Sequence, residues 1–265
     1  MLSVMFSMVS EIIQPGKSAQ LLFLLLIGIL GYTAYYLGTK GRTWEIRSLE
    51  GLEAMFEGVG RSAEMGRPIL VLPGISDMGS PQTLAGITIL GELTQQGAEI
   101  GVTTYSSNAD SGVLTASEAV VRSAYAAVGK PELYSPGKYV RWFGNDQFAY
   151  AVGAAGQILA DNPAVVVYLG YFLFDVIVDG ETGNSIGAVQ VGGTLGSMDF
   201  MSVFCDYILI GEELFAASAA ISKDKNTIAT IAGQDWVKLI VLGILIVGTL
   251  VSLAGSDAIV RLLEM

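Results

Sequence analysis

The chain has 265 residues, 52% of them apolar, with 14 basic against 25 acidic side chains and a net charge of −11. That balance argues against nucleic acid as a partner, because such binding runs on phosphate neutralisation, and against adhesion to anionic headgroups. There is no histidine and one cysteine, Cys205, which excludes Ser-His-Asp and Cys-His catalysis, histidine-ligated zinc or haem, an all-cysteine cluster within one chain and an intramolecular disulfide.

Residues 1–19 open on a methionine-rich stretch, MLSVMFSMVSEII. Met1, Met5 and Met8 fall roughly on one helical face, which fits an interfacial helix or an oligomer contact. Residues 20–38 (QLLFLLLIGILGYTAYYLG) are long enough for a bilayer core of about 30 Å. The run exceeds a signal-peptide core of roughly 7–15 residues, and no small-residue cleavage pattern follows it. A retained transmembrane helix is expected there.

Residues 39–235 hold 11 basic and 22 acidic side chains and suit one domain with its own core. A helical pattern runs from Arg47 to Met65 and stops at Gly66. Pro68–Leu72 (PILVL) reads as a strand buried on both faces. Pro81 at a first helical position starts a helix expected to end near Gln96, before Gly97. Glu99–Tyr105 (EIGVTTY) reads as a second strand, followed by the loop SSNADSG and a helix from about Leu114 to Val128. After a break at Pro131–Lys138, the predicted elements are helix Asn145–Ala160, strand Ala164–Tyr168, a helical piece around Phe172–Asp179 and strand Ile186–Val191. A short helix, strand Asp206–Ile210 and helix Glu212–Ser222 complete the segment. Five short apolar strands alternating with helices predict an α/β domain. Its sheet should be mostly parallel and Rossmann-like, with helices on both faces, inserted between two transmembrane helices.

Residues 236–255 (WVKLIVLGILIVGTLVSLAG) form the second expected span, with Trp236 at an interfacial position and Lys238 able to snorkel. A short tail, 256–265, follows. Lys40, Arg42, Arg47, Lys223 and Lys225 flank the spans on the domain side, against Lys17 and Arg261 on the other. The positive-inside rule then makes the protein a multi-pass membrane protein with a cytoplasmic domain and extracytoplasmic termini.

Ligands of such sheets bind beyond the carboxyl ends of the strands. The loop after the first strand, PGISDMGSP, offers Gly74, Ser76 and Asp77 with a helix start behind them. It matches neither G-x-G-x-x-G nor G-x-x-x-x-G-K-[ST], and a tight turn needs the same glycines. The loop SSNADSG offers Ser107, Asn108 and Asp110, oxygen donors that also serve as turn and cap residues. The VGGT turn offers Gly192 and Gly193, which permit close backbone approach to a ligand or a helix. Glu212 and Glu213 open a helix after a strand, where the helix dipole favours acids with no chemistry required. No cofactor and no metal are implied.

The order "VQVGGT", a short helix, then "CDYILIGEELFAASAAIS" resembles a family of prokaryotic membrane proteins known as a domain of unknown function. "RSLEGLEAMFEGVGRSAEMGRPILVLPG" and "VTTYSSNADSG" are similar to the same family, so the resemblance covers most of residues 40–225. It implies transmembrane spans flanking an α/β domain and brings no activity with it. The segment "YFLFDVIVDGETGNSIG" departs from the family's pattern, in which a more acidic, alanine-rich helix is expected.

Two functions follow from these readings. The first is a membrane-anchored scaffold subunit without catalysis of its own, self-assembling into a homo-oligomer, a ring included, through its α/β domain. It is motivated by 33 glycines, the high apolar content and alanine-rich helices. The second is a sensor or hydrolase for a small ligand, nucleotide or metal, using the strand-end crevice with Asp77, Asn108, Asp110 and Glu212. The expected partners are the lipid bilayer, further copies of the chain, and other membrane or cytoplasmic proteins.

Overall fold

A computed structural model describes residues 17–42, 44, 46–196, 198–223 and 225–253. The methionine-rich amino-terminal stretch and the tail 256–265 lie outside the described residues. The chain divides into two compact units, Ile46–Ser222 and the two flanking segments together. Among the described residues the first helix, labelled α1 (Ser18–Thr39), contains the amino-terminal apolar run.

In the central unit, α2 (Glu50–Met65) carries Glu50 and Glu53 in its first turn, where the helix dipole favours them. It buries Leu52, Met55 and Val59, and stops at Gly66 in the left-handed conformation. Strand β1 (Ile69–Gly74) is buried at every position, as its apolar run requires. Helix α3 (Pro81–Ile100) begins on the expected proline but passes the expected stop. A Cβ on Gly97 would lie 3.0 Å from the Val102 carbonyl oxygen, so this glycine serves close packing. The left-handed stop is Gly101, at φ 86°.

The first part of EIGVTTY is therefore helix, and β2 (Thr104–Asn108) extends into what reads as a loop. Helix α4 (Ser111–Ala127) follows at once. A sixth strand, β3 (Val140–Trp142), lies beyond the proline-rich break and is three residues long. Then come α5 (Gln147–Asp161), β4 (Val165–Tyr171), α6 (Asp175–Ser185) and β5 (Val189–Thr194). Helix α7 (Met198–Phe204), β6 (Tyr207–Ile210) and α8 (Glu213–Ser222) close the unit. VGGT is thus the end of a strand rather than a turn.

All five strand pairings are parallel, in the order β3-β2-β1-β4-β5-β6. The sheet is Rossmann-like, with six strands where about five are expected. Helices cover both faces. Val71, Val165, Val167 and Leu169 join the cluster containing α2, α3 and α8 residues. Leu70, Leu72, Val166 and Tyr168 join residues of α5, α6 and α7. Alternation of side chains along β1 and β4 feeds both layers. Each fully buried branched side chain stabilises the fold by about 1.5–3 kcal/mol.

At the amino ends of the strands, Arg67 fastens three connections. Its guanidinium donates to the Asn162 and Pro163 carbonyls, to Asn162 Oδ1 at 2.6 Å and to the Ile186 carbonyl.

In the flanking unit, α9 (Lys225–Leu253) packs against α1. Small residues bring the two together. A Cβ on Gly38 would lie 2.6 Å from Ala229 Cβ, and one on Gly233 would lie 3.1 Å from Ala34 Cβ. The rings of Trp44 and Trp236 meet edge to face at 6.3 Å. Both helices are long and apolar enough to cross a membrane. Leu22, Leu24, Ile29, Leu242, Leu245 and Leu250 are exposed, as side chains facing lipid would be.

Candidate functional site

Strand order reverses between β1 and β4, and the crevice beyond that point is where sheets of this type bind ligands. Here the backbone fills much of it. Gly74 has φ 82°, and a Cβ there would lie 2.4 Å from the Tyr171 carbonyl oxygen. Gly170 has φ 153°, and its Cβ would lie 2.0 Å from the Pro73 carbonyl oxygen. Ile75 N–H still donates to the Tyr171 carbonyl at 2.9 Å. The two strands remain joined past the sheet, across a register shift between Leu72 and Gly74.

The open space lies to one side, between the loops after β1 and β2. A cleft of about 340 Å³ is lined by Ile75, Ser76, Asp77, Ala109, Asp110 and Asn145. The structure thus brings Ser76, Asp77 and Asp110 together and adds Asn145, which sequence reasoning did not single out. Both carboxylates already have work. Asp77 Oδ1 accepts from Gly79 N–H at 2.9 Å. Asp110 Oδ1 caps α4, accepting from Gly112 and Val113 N–H at 2.8 and 3.0 Å. Among the described residues no group of three acidic or sulfur side chains is arranged to hold a metal ion.

Ser107 and Asn108 are not in the cleft. Both lie inside β2 with no exposure. Ser107 Oγ donates to Gln157 Oε1 at 2.8 Å, and Asn108 Oδ1 accepts from Ser117 Oγ at 3.0 Å. They belong to a buried polar seam that ties β2 to α4 and α5. Gly192 and Gly193 sit within β5. A Cβ on Gly192 would lie 2.9 Å from Cys205 Sγ and from Met201 Sδ, and one on Gly193 would lie 3.1 Å from Leu169 Cδ2. Their role is packing. Glu212 follows β6, the edge strand, three strands away from β1. Its neighbour Glu213 accepts from Ile210 N–H and pairs with Arg47. A second cavity, of about 300 Å³, lies at the opposite end of the sheet and includes Arg67 and Asp161. Arg67 is the clamp described above, and Asp161 pairs with Arg141 at 3.0 Å.

Two features of the α5–α7 layer escape sequence reasoning. The first is a pair of buried acids, Asp175 and Asp179, on the inner side of α6. Asp175 Oδ1 accepts from Leu173 N–H at 2.8 Å and Gln147 Nε2 at 2.7 Å. Asp175 Oδ2 and both oxygens of Asp179 have no hydrogen-bond partner among the described residues. Burial raises the pKa of Asp175, and burial followed by the neighbouring Asp175 charge raises that of Asp179 well above the ordinary carboxylate value. The D-x-x-x-D spacing inside an apolar segment is the signal that would have found them.

The second feature is the outer surface of the same layer. Phe148 is 68% exposed, Val152 71% and Leu159 59%. They fall at helical spacing along α5, with Ala149, Gly156 and Ala160 also exposed. The Phe148 ring meets that of Phe174, just before α6, at 4.7 Å and a tilt of 39°, and Ile177, Val178, Phe200 and Val203 are further exposed apolar residues on α6 and α7. No lysine or arginine occurs between residues 142 and 222.

The profile of a family described as a domain of unknown function (DUF6754) matches residues 9–263. The chain belongs to this family. The DUF6754 match takes in both long apolar helices and the whole α/β unit. No curated protein matches the chain, and no solved structure does.

Proposed function

We propose that this DUF6754 protein is a membrane-anchored scaffold subunit that self-associates through its α/β domain and carries no catalysis of its own. The domain lies on the cytoplasmic side, with both termini extracytoplasmic. The observation that carries this reading is the apolar outer surface of α5, uncharged along the helix, with its continuation on α6 and α7, where Glu181 and Asp199 are exposed acids beside it. The unit Ile46–Ser222 has 7 basic and 19 acidic residues. Copies of so acidic a domain repel one another wherever carboxylates meet. The α5 surface is a place where two copies can approach without stripping water from like charges. A bilayer is a poorer occupant, since helices that lie on membranes pair an apolar face with lysines and arginines. Anchoring in a membrane raises the local concentration of copies and so strengthens a weak contact. The ligand reading has less to stand on, because one oxygen each of Asp77 and Asp110 serves local backbone, Ser107 and Asn108 are buried, and Glu212 follows the edge strand.

The test is the mass of the detergent-extracted protein by light scattering, corrected for detergent. A discrete multiple of the chain mass is expected. Val152→Glu should reduce it by at least half while leaving the melting temperature nearly unchanged. A strictly monomeric wild type would sink the proposal.

A further inference from the structure

The inner side of α6 holds chemistry that a passive scaffold does not need. Asp175 and Asp179 are four residues apart, so they project from one helix face a single turn from each other. Neither is exposed, and three of their four oxygens have no hydrogen-bond partner among the described residues. The groups packed around them are acids or neutral. Tyr150 from α5 and Tyr168 from β4 face Asp179, and Gln147 from α5 reaches Asp175. Tyr168 hydroxyl donates to Gln190 Oε1 on β5 at 2.7 Å. Beyond Tyr168 lie Cys205 and then Asp206, which follow α7. The nearest basic residue in sequence, Arg141, is paired with Asp161 at the end of α5, and Arg67, which reaches the end of α6, is held on the Pro163 and Ile186 carbonyls. Two adjacent buried carboxyls without a cation cannot both be ionised in place.

We infer that Asp175 and Asp179 form a proton-binding site that governs the seating of α6 and, through it, the apolar assembly surface. With the pair protonated, α6 rests against α5 and β4. Its outward residues Ile177 and Val178 then lie beside the α5 stripe, with Phe174 against Phe148 and Gln147 bonded to Asp175. With both carboxyls ionised, mutual repulsion and the demand for water lift α6 and break up that surface. The consequence for assembly rests on the self-association reading; the proton site itself rests on its own geometry.

The experiment uses the full chain in detergent between pH 5 and 9, with the proton as the probe. Amide hydrogen exchange of residues 175–185, corrected for intrinsic rates, reports the seating of α6. Light scattering reports assembly. In the wild type, raising the pH should cut α6 protection at least tenfold and lower the mass. Asp179→Asn, which keeps the shape without the charge, should hold both constant. Infrared spectroscopy at pH 7 should show a protonated carboxyl band that Asp179→Asn or Asp175→Asn weakens, so one well-folded variant is enough. Wild-type α6 protection that does not change with pH, or a missing carboxyl band, overturns the inference. Protection that follows pH in a protein that is monomeric throughout keeps the proton site and rejects the self-association reading.

Discussion

At Asp110 one carboxylate oxygen accepts two backbone N–H groups that would otherwise have no partner at the start of α4. Asp110→Ala should therefore lower stability by about 1 kcal/mol, read from the denaturant midpoint. Asp179 sets a different dependence. Its folded-state pKa lies above the ordinary carboxylate value, so the native state keeps the proton to higher pH than the unfolded chain does. Its stabilising contribution is complete below about pH 4 and is lost as pH rises through the folded-state value, by about 1.4 kcal/mol per pH unit. Melting of the wild type at pH 5 should thus exceed melting at pH 8, and Asp179→Asn should narrow that difference by raising the pH 8 value. Burial, with Asp206 nearby, pushes the Cys205 thiol up to about 12, so it should resist alkylation at pH 7 until the protein unfolds. In sequence Ser76, Asp77, Ser107, Asn108 and Asp110 read as one strand-end group; Ser76, Asp77 and Asp110 line a cleft, while Ser107 and Asn108 are buried. Polar residues at a strand's end look alike whether they face solvent or a buried seam, and only the start of β2 decides between them.

At the scale of elements, the alternation of strands and helices and the two helical layers are legible because each crossover helix has clear punctuation, whereas the strand order comes from the structure. Gly66 ends α2, Pro81 starts α3, and Ala164–Tyr168 is too apolar for anything but a central strand. The boundary of α3 was misread because Gly97 and Gly101 look equivalent in sequence. Only the approach of Val102 separates the packing glycine from the capping one. Strand β3 gave no signal, since three residues cannot show an alternation. The Gly74–Gly170 crossing is an element-level lock: Gly74→Ala pushes a Cβ into the Tyr171 carbonyl at a positive φ. It should cost about 2 kcal/mol or more, visible as a lower denaturant midpoint with an unchanged far-UV spectrum. Arg67→Ala removes the donor shared by the connections near Asn162 and Ile186. It should cost about 1.5–3 kcal/mol, the range for hydrogen bonds to a charged group.

For the whole molecule, charge and the pairing of the two long apolar helices both matter. Under the proposed self-association, contact of an acidic domain through an apolar face without lysine or arginine should strengthen as salt screens the surrounding carboxylates, Glu181 and Asp199 among them. The oligomer mass measured at 0.5 M salt should equal or exceed that at 0.05 M, whereas an assembly held by ion pairs would come apart. The packing of α1 on α9 through Gly38, Ala229 and Gly233 has a thermodynamic consequence for the segment between them. While that helix pair holds, residues 46–222 form a closed loop, and the unfolded domain cannot explore the conformations open to a free chain. By the loop-entropy relation used for cross-links, closure of this length stabilises the folded state by about 5 kcal/mol. The excised segment 46–222 should then melt well below the same segment in the intact protein, the helix pair serving as a covalent bridge would in a secreted domain.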